Sequence, residues 1–190
     1  MPGYRTQRGI EKTLAHDSNQ NRDFKPLNIA VLTVSDSRTE ATDKSGQVLI
    51  GRLEDAGHKQ ADKRIEPDNI YRIRATVSAW IADPDIQVVI TSGGTGITGR
   101  DGTPEAIEPL LDKQIDGFGE MFRSLSFQDI GTSTIQSRAL AGVANGTFVF
   151  CLPGSTGACA DGWDKLIARQ LDYRTLPCNL VELMPRLSES

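Results

Sequence analysis

The sequence predicts an α/β fold, a three-layer sandwich built on a mostly parallel sheet. Three observations lead there. Apolar, β-branched runs alternate along the chain with stretches of helical period. The runs Asn28–Val34, Ile86–Ile90 and Gly146–Leu152 are apolar almost throughout, as expected of strands covered on both faces. Each ends in a polar or glycine-rich loop, and open α/β sheets place their ligands at such carboxyl ends.

Taken in order, residues 1–26 are polar, carry Asp17-Ser18-Asn19-Gln20-Asn21 and lack sustained periodicity, so they read as a flexible arm that could order against a neighbouring subunit. Residues 27–182 read as one domain and 183–190 as a tail. The first strand, Asn28–Val34, runs into Ser35-Asp36-Ser37-Arg38, a ligand-facing turn in which Asp36 is a candidate substrate contact. Val48, Leu49, Leu53 and Ala56, with Gly57 behind them, predict an amphipathic helix over Ser45–Ala56. After an extended piece, Gln60–Ile65, Pro67-Asp68-Asn69 opens a second helix with Ile70, Ile73, Val77, Trp80 and Ile81 on one face. Asp68 reads here either as its N-cap or as a site carboxylate.

The strand Ile86–Ile90 and its loop follow. Thr103-Pro104-Glu105 then gives an N-cap, a proline at the first helical position and an acid in the first turn. Phe118–Phe127 reads as helix, as does Ser133–Ala141. The late strand Gly146–Leu152 ends in Pro153-Gly154-Ser155, and a last helix spans Gly157–Leu171.

A chain of 190 residues with 38% hydrophobic content can build one substantial core. A net charge of −4 without a long Lys/Arg run argues against a dedicated nucleic-acid binder, so an anionic ligand must be held locally. No apolar stretch approaches membrane-spanning length and no signal-peptide core follows Met1, so a cytoplasmic location and no membrane partner are expected. Cys151, Cys159 and Cys178 form no C-x-x-C pair, and with only His16 and His58 beside them they suggest reduced thiols rather than a zinc site. Cys151 closes an apolar strand and reads as a buried structural thiol.

The chemistry concentrates in Thr91-Ser92-Gly93-Gly94-Thr95-Gly96, with Arg100-Asp101-Gly102-Thr103 close behind. Three glycines in four positions let backbone N–H groups converge on an anion. Gly94 to Gly99 formally fits G-x-G-x-x-G, but the helix signal comes only at Thr103-Pro104, too late for its dipole to meet a pyrophosphate there. There is no P-loop motif and no credible Ser/His/Asp set. A carboxylate beside an anion cradle repels the anion unless a cation lies between, which points Asp101 towards an oxygen-ligated Mg²⁺. Arg38 and Arg100 read either as phosphate neutralisers or as solvated charges.

TVSDSR, PDN, TSGGTGITGRDGTPEA, GFGEMFR, GTSTIQSRALAGVANGTFVFCLPGSTGAC and YRTLPCN, in this order, resemble the molybdopterin-binding family that includes MoaB, MogA and the gephyrin G domain. The likeness covers about Asn28 to Asn179. It implies a MogA-like fold assembled as homotrimers or homohexamers. It also implies adenylylation of molybdopterin, in which AMP passes from Mg²⁺·ATP to the pterin's terminal phosphate and pyrophosphate leaves; the alternative is a non-catalytic protein that binds or channels molybdopterin, in contact with other enzymes of the pathway. Carried over by motif, Ser92, Gly93, Gly94, Thr95 and Gly96 form the substrate loop. Asp101 is the functional aspartate behind it, and Asp68, here in Ile65-Glu66-Pro67-Asp68, is the second; both are implied as catalytic and Mg²⁺-holding residues. Pro153, Gly154 and Ser155 border the pterin.

Overall fold

The computed structural model of the chain describes residues 21–187. β1 (Asn28–Val34), β2 (Lys59–Glu66), β3 (Val88–Ser92) and β6 (Thr147–Leu152) lie parallel, while β5 (Leu140–Ala144) runs antiparallel to both β6 and β4 (Lys113–Gln114). The sheet order is β2-β1-β3-β6-β5-β4, so the expected mostly parallel sheet is present with an antiparallel edge.

The period of two along each strand divides its residues between two cores. Ile29 and Val31 of β1 face one side. There Leu49 and Leu53 of α1 (Lys44–Asp55) and Phe118 and Phe122 of α4 (Asp116–Ile130) cover the sheet. Ala30, Leu32 and Val34 face the other, under Ile73, Val77 and Trp80 of α2 (Ile70–Ile81) and Ala106 and Ile107 of α3 (Thr103–Ile107). That is the three-layer sandwich. A fully buried Leu or Ile here, such as Leu53 or Ile73, contributes about 1.5–3 kcal/mol relative to leaving it in water.

Local chemistry fixes how each strand hands over to its loop. Asp43, fully buried, caps α1 by accepting from the Gly46 N–H at 2.9 Å. The same carboxylate takes the Thr33 hydroxyl at 2.9 Å and pairs with Lys63 at 3.2 Å, tying the ends of β1 and β2 to α1 around the loop that holds Asp36. Burial pushes the Asp43 carboxyl up, but these donors outweigh it and hold it below the usual range.

Four expectations need correction. Asp68 does not cap α2: Asn69 does, accepting from the Tyr71 and Arg72 N–H groups at 3.0 and 3.2 Å. Thr103 is the first helical residue of α3 rather than its cap, and its hydroxyl donates instead to the Gly93 carbonyl at 2.8 Å. β3 extends to Ser92, so Thr91 and Ser92 belong to the strand and not to the loop. Ser133–Ala141 is not an α-helix: Gly131–Gln136 forms a 3₁₀ turn and the chain then enters β5. The small residues of β5 answer to crowding rather than to helix propensity, for a Cβ at Gly142 would lie 2.6 Å from the Lys113 carbonyl oxygen. The turn signal for the β5–β6 hairpin was the dipeptide Asn145-Gly146, both at positive φ (47° and 81°).

The last helix, α5 (Thr156–Asp161), continues through a π-helical stretch (Gly162–Ile167) to Ala168–Gln170, and α6 (Leu180–Leu183) follows. Residues 1–20 of the expected arm and 188–190 of the expected tail lie outside the described residues. From Arg22 onward the chain packs on the domain: Arg22 pairs with Glu182, Lys25 sits 3.7 Å from the Tyr173 ring centroid, and the Phe24 ring lies 5.0 Å from that of His58. Burial pushes the Cys151 and Cys159 thiols up to about 12, which fits the structural reading of Cys151.

Candidate functional site

The parallel strands β1, β3 and β6 end on the same edge of the sheet, and their loops meet there. The first turn after β3 has Gly93 and Gly94 at φ 98° and 62°, a region that disfavours any side chain. Space excludes one as well: a Cβ on Gly93 would fall on the Val34 carbonyl oxygen, and one on Gly94 on the Thr103 hydroxyl. Gly93 donates its N–H to the Leu152 carbonyl at 3.0 Å, and a Cβ on Gly154 would lie 3.0 Å from the Gly93 Cα. The loops after β3 and β6 are thus in backbone contact. Thr103 closes the far end of the glycine turn, donating its N–H to the Gly94 carbonyl at 2.9 Å.

A cavity of about 330 Å³ opens between these loops. Gly93, Gly94, Thr95, Gly96 and Asp101 line one side and Pro153, Gly154 and Ser155 another. Phe122, Ser126 and Ile130 of α4 supply an apolar and hydroxyl wall. Of the residues singled out in the sequence, eight therefore share one surface: the four of the loop, Asp101, and the three after β6. Ser92 does not join them; it ends β3 with its side chain fully buried. Asp36 and Asp68 do not line the cavity either.

Those two aspartates form a second group against the loop. The Asp36 Oδ1 accepts from the Arg100 guanidinium at 2.9 Å and from the Asp68 N–H at 3.2 Å, so Asp36 bridges the loops after β1, β2 and β3. Asp68 Oδ1 accepts the Gly102 N–H at 3.2 Å, and its Oδ2 would lie 2.9 Å from a Cβ on Gly94. Partial burial holds the Asp68 carboxyl above its usual range, and the negative charges of Asp101 and Asp36 add to that, against the Gly102 N–H and Arg100. Asp101 is the reverse case. The Thr98 hydroxyl donates to its Oδ2, as does the Thr98 N–H at 2.9 Å, and the Gly96 N–H joins them, which keeps this carboxyl below the usual range.

Several parts of the site had no marker in the sequence. Thr98 is one. Arg138, just before β5, is another: its guanidinium reaches the carbonyls of Thr95 (3.3 Å) and Asp101 (2.9 Å) and pairs with Glu105. Of the α4 wall the sequence shows only a helix over Phe118–Phe127, which stops short of Ile130. Among the described residues no three His, Cys, Asp or Glu side chains converge to hold a metal ion by themselves. Two carboxylates completed by phosphate oxygens and water are, however, a usual Mg²⁺ set, and the excess negative charge around Asp68 suits a cation.

Fold and site together define a doubly covered α/β protein whose glycine turn and neighbouring loops enclose a cavity at the carboxyl ends of the parallel strands. A family model described as "Probable molybdopterin binding domain" matches residues 30–173, and the chain belongs to that family. It is similar to molybdenum cofactor biosynthesis protein B of Escherichia coli (strain K12), with 56% identity over 162 residues, 85% of this chain and 95% of that protein. Among solved structures, a molybdenum cofactor biosynthesis protein B superposes with a TM-score of 0.80 at 42% identity, covering 89% of this chain and 100% of that one. The tungsten cofactor synthesizing protein MoaB from Pyrococcus furiosus gives 0.69 at 37% identity, covering 76% and 92%.

Proposed function

We propose that the chain acts in molybdenum cofactor biosynthesis, binding molybdopterin in the cavity between the glycine turn and Pro153-Gly154-Ser155 and transferring AMP to it from Mg²⁺·ATP. The observation that carries this reading is the joint lining of one cavity by Gly93 to Gly96, Asp101 and the loop after β6. Such a site needs no protein nucleophile. A terminal phosphate oxygen of the pterin attacks the α-phosphorus of ATP, the bond to the bridging oxygen breaks, and pyrophosphate leaves with its electron pair. The chain's part is to hold both phosphates in line: the glycine turn, with no side chain on Gly93 or Gly94, lets an anion approach the backbone, and Arg100, exposed and paired with Asp36, supplies positive charge beside the turn. Asp68 and Asp101 are the residues that would hold Mg²⁺, which when bound neutralises the charge gathering on the departing pyrophosphate. The apolar residues left exposed at the end of α4 and beyond it, Phe127, Ile130 and Ile135, favour assembly of identical copies, to be read from the mass in solution.

One observation favours a second reading, a protein that binds molybdopterin without reacting it. The Asp101 carboxylate is already engaged by Thr98 and Gly96, so closing the loop would by itself account for it. Asp101→Asn separates the two, because the amide oxygen can still accept from the Thr98 N–H while the charge is gone. With molybdopterin and Mg²⁺·ATP, the wild-type protein is expected to release pyrophosphate in proportion to pterin, and Asp101→Asn to release it ~10²-fold more slowly with pterin binding retained. Bound pterin without any pyrophosphate from the wild-type protein would transfer the assignment to the binding reading.

A further inference from the structure

Arg138 belongs to neither group of aspartates, yet it is joined to both. It lines not the glycine cavity but the adjoining one, a 500 Å³ space bordered also by Glu105, Glu108 and Arg123. From that side its Nε donates to the Thr95 carbonyl at 3.3 Å and its Nη2 to the Asp101 carbonyl at 2.9 Å. Its Nη1 pairs with the Glu105 carboxylate, which keeps the fork turned towards the loop.

The two carbonyls it holds are not arbitrary. A peptide unit is planar and trans, so fixing a carbonyl also fixes, on the opposite side, the N–H of the following residue. The unit that begins at the Thr95 carbonyl ends at the Gly96 N–H, which is turned to the Asp101 carboxylate; a Cβ on Gly96 would lie 2.6 Å from Asp101 Oδ2. The unit that begins at the Asp101 carbonyl ends at the Gly102 N–H, which donates to Asp68 Oδ1 at 3.2 Å. One guanidinium therefore orients a backbone donor to each of the two aspartates, the Gly96 N–H to Asp101 and the Gly102 N–H to Asp68, beside the Thr98 groups that also reach Asp101. Its rigid, planar fork suits this task, whereas an ammonium, a point charge with three rotatable donors on a flexible stem, would fix the directions of the two carbonyls less firmly. Drawing the carbonyls towards Arg138 also keeps their negative ends away from the face where an anion would lie.

We propose that Arg138 is a positioning residue that sets Asp68 and Asp101 through the Thr95–Gly96 and Asp101–Gly102 peptide units. The role in turnover rests on the adenylyl-transfer reading; the role in loop geometry does not, and the two are measured separately. Amide hydrogen exchange over residues 94–103 of the ligand-free, full-length protein reads the geometry. Arg138→Gln should raise exchange there about tenfold, since two hydrogen bonds from a charged donor are lost. Arg138→Lys should fall between it and the wild-type protein. Glu105→Gln, an exposed change that leaves Arg138 in place, should give a smaller rise. Arg52→Gln, which removes a remote exposed ion pair with Asp164, should leave exchange over residues 94–103 unchanged.

Pyrophosphate release reads the second part. Arg138→Gln should lower kcat at least about tenfold with little change in KM for ATP, and Arg138→Lys should recover part of the loss, because misplacement rather than lost binding is at issue. Unchanged exchange over residues 94–103 in Arg138→Gln, or an equal rise in Arg52→Gln, overturns the proposal. Should Arg138→Gln fail to fold, unaltered exchange in both Arg138→Lys and Glu105→Gln does the same. A wild-type protein that releases no pyrophosphate while Arg138→Gln still loosens residues 94–103 would refute the reaction and leave the positioning role standing.

Discussion

The two aspartates beside the glycine turn are held in opposite ways. Asp101, in the cavity lining, takes three donors from its own loop, and its charge is stabilised before any ligand arrives. Asp68, outside that lining, accepts the Gly102 N–H, is partly buried, and lies within reach of the charges of Asp36 and Asp101 with Arg100 as the opposing cation. The difference teaches which of them would respond more to an added cation. A carboxylate satisfied locally is explained by the loop it closes, whereas one held above its usual range by its surroundings gains most from an added positive charge. On this view Asp68 is the more telling residue of the pair, although the sequence offered it a sufficient alternative role as a helix cap.

The comparison depends on the turn that separates the two, and the sharpest way to break it is to fill that turn. Gly93→Ala places a methyl on the Val34 carbonyl at φ 98°, a clash with backbone that no rotamer relieves. It should destabilise the protein by about 3 kcal/mol or more, or prevent folding. Gly99→Ala, in the same loop, meets no atom within 4 Å and needs no positive φ, so it should stay within about 0.5 kcal/mol of the parent. Urea denaturation of the two proteins decides: equal losses would mean that the close approach of the Val34 carbonyl does not exclude a side chain at Gly93.

How much of this was legible in the sequence divides along the same line. The strands β1, β3 and β6 and the glycine turn were readable because each is local: a buried parallel strand is a continuous apolar run, and a tight turn needs glycine. Asp101 was found because it follows the glycines within a few residues. What escaped was set by distant partners. Arg138 meets the loop from 37 residues beyond Asp101, and nothing in Ser137-Arg138-Ala139 marks it. β5 carries no strand signal, and the helix expected over Ser133–Ala141 runs into its start, because its small residues reflect the close approach of Leu111 and Lys113 across the sheet rather than any period of their own. Asp36, expected as a substrate contact, also ties its own loop to those after β2 and β3, a role that exists only once the strands are paired.

The smallest predicted effect tests the opposition of the two aspartates directly, through the sign of their pH dependence. Asp101 has its folded-state pKa below the unfolded value near 4, so its charge contributes stability above that pH, and the contribution is lost as the pH falls. Asp68 has its folded-state pKa raised, so the unfolded chain releases its proton first; the ionised group then disfavours the folded state at neutral pH, an effect that fades as the pH falls through the raised folded-state pKa and is gone below about 4. In magnesium-free buffer at pH 7, Asp101→Asn should therefore be less stable than the parent and Asp68→Asn more stable, each by about 0.5 kcal/mol because both groups are partly solvated. At pH 3 both differences should shrink. If Asp68→Asn were destabilised at pH 7 as much as Asp101→Asn, Asp68 would be another carboxylate satisfied by its neighbours, and the case for a cation beside it would rest on the resemblance alone.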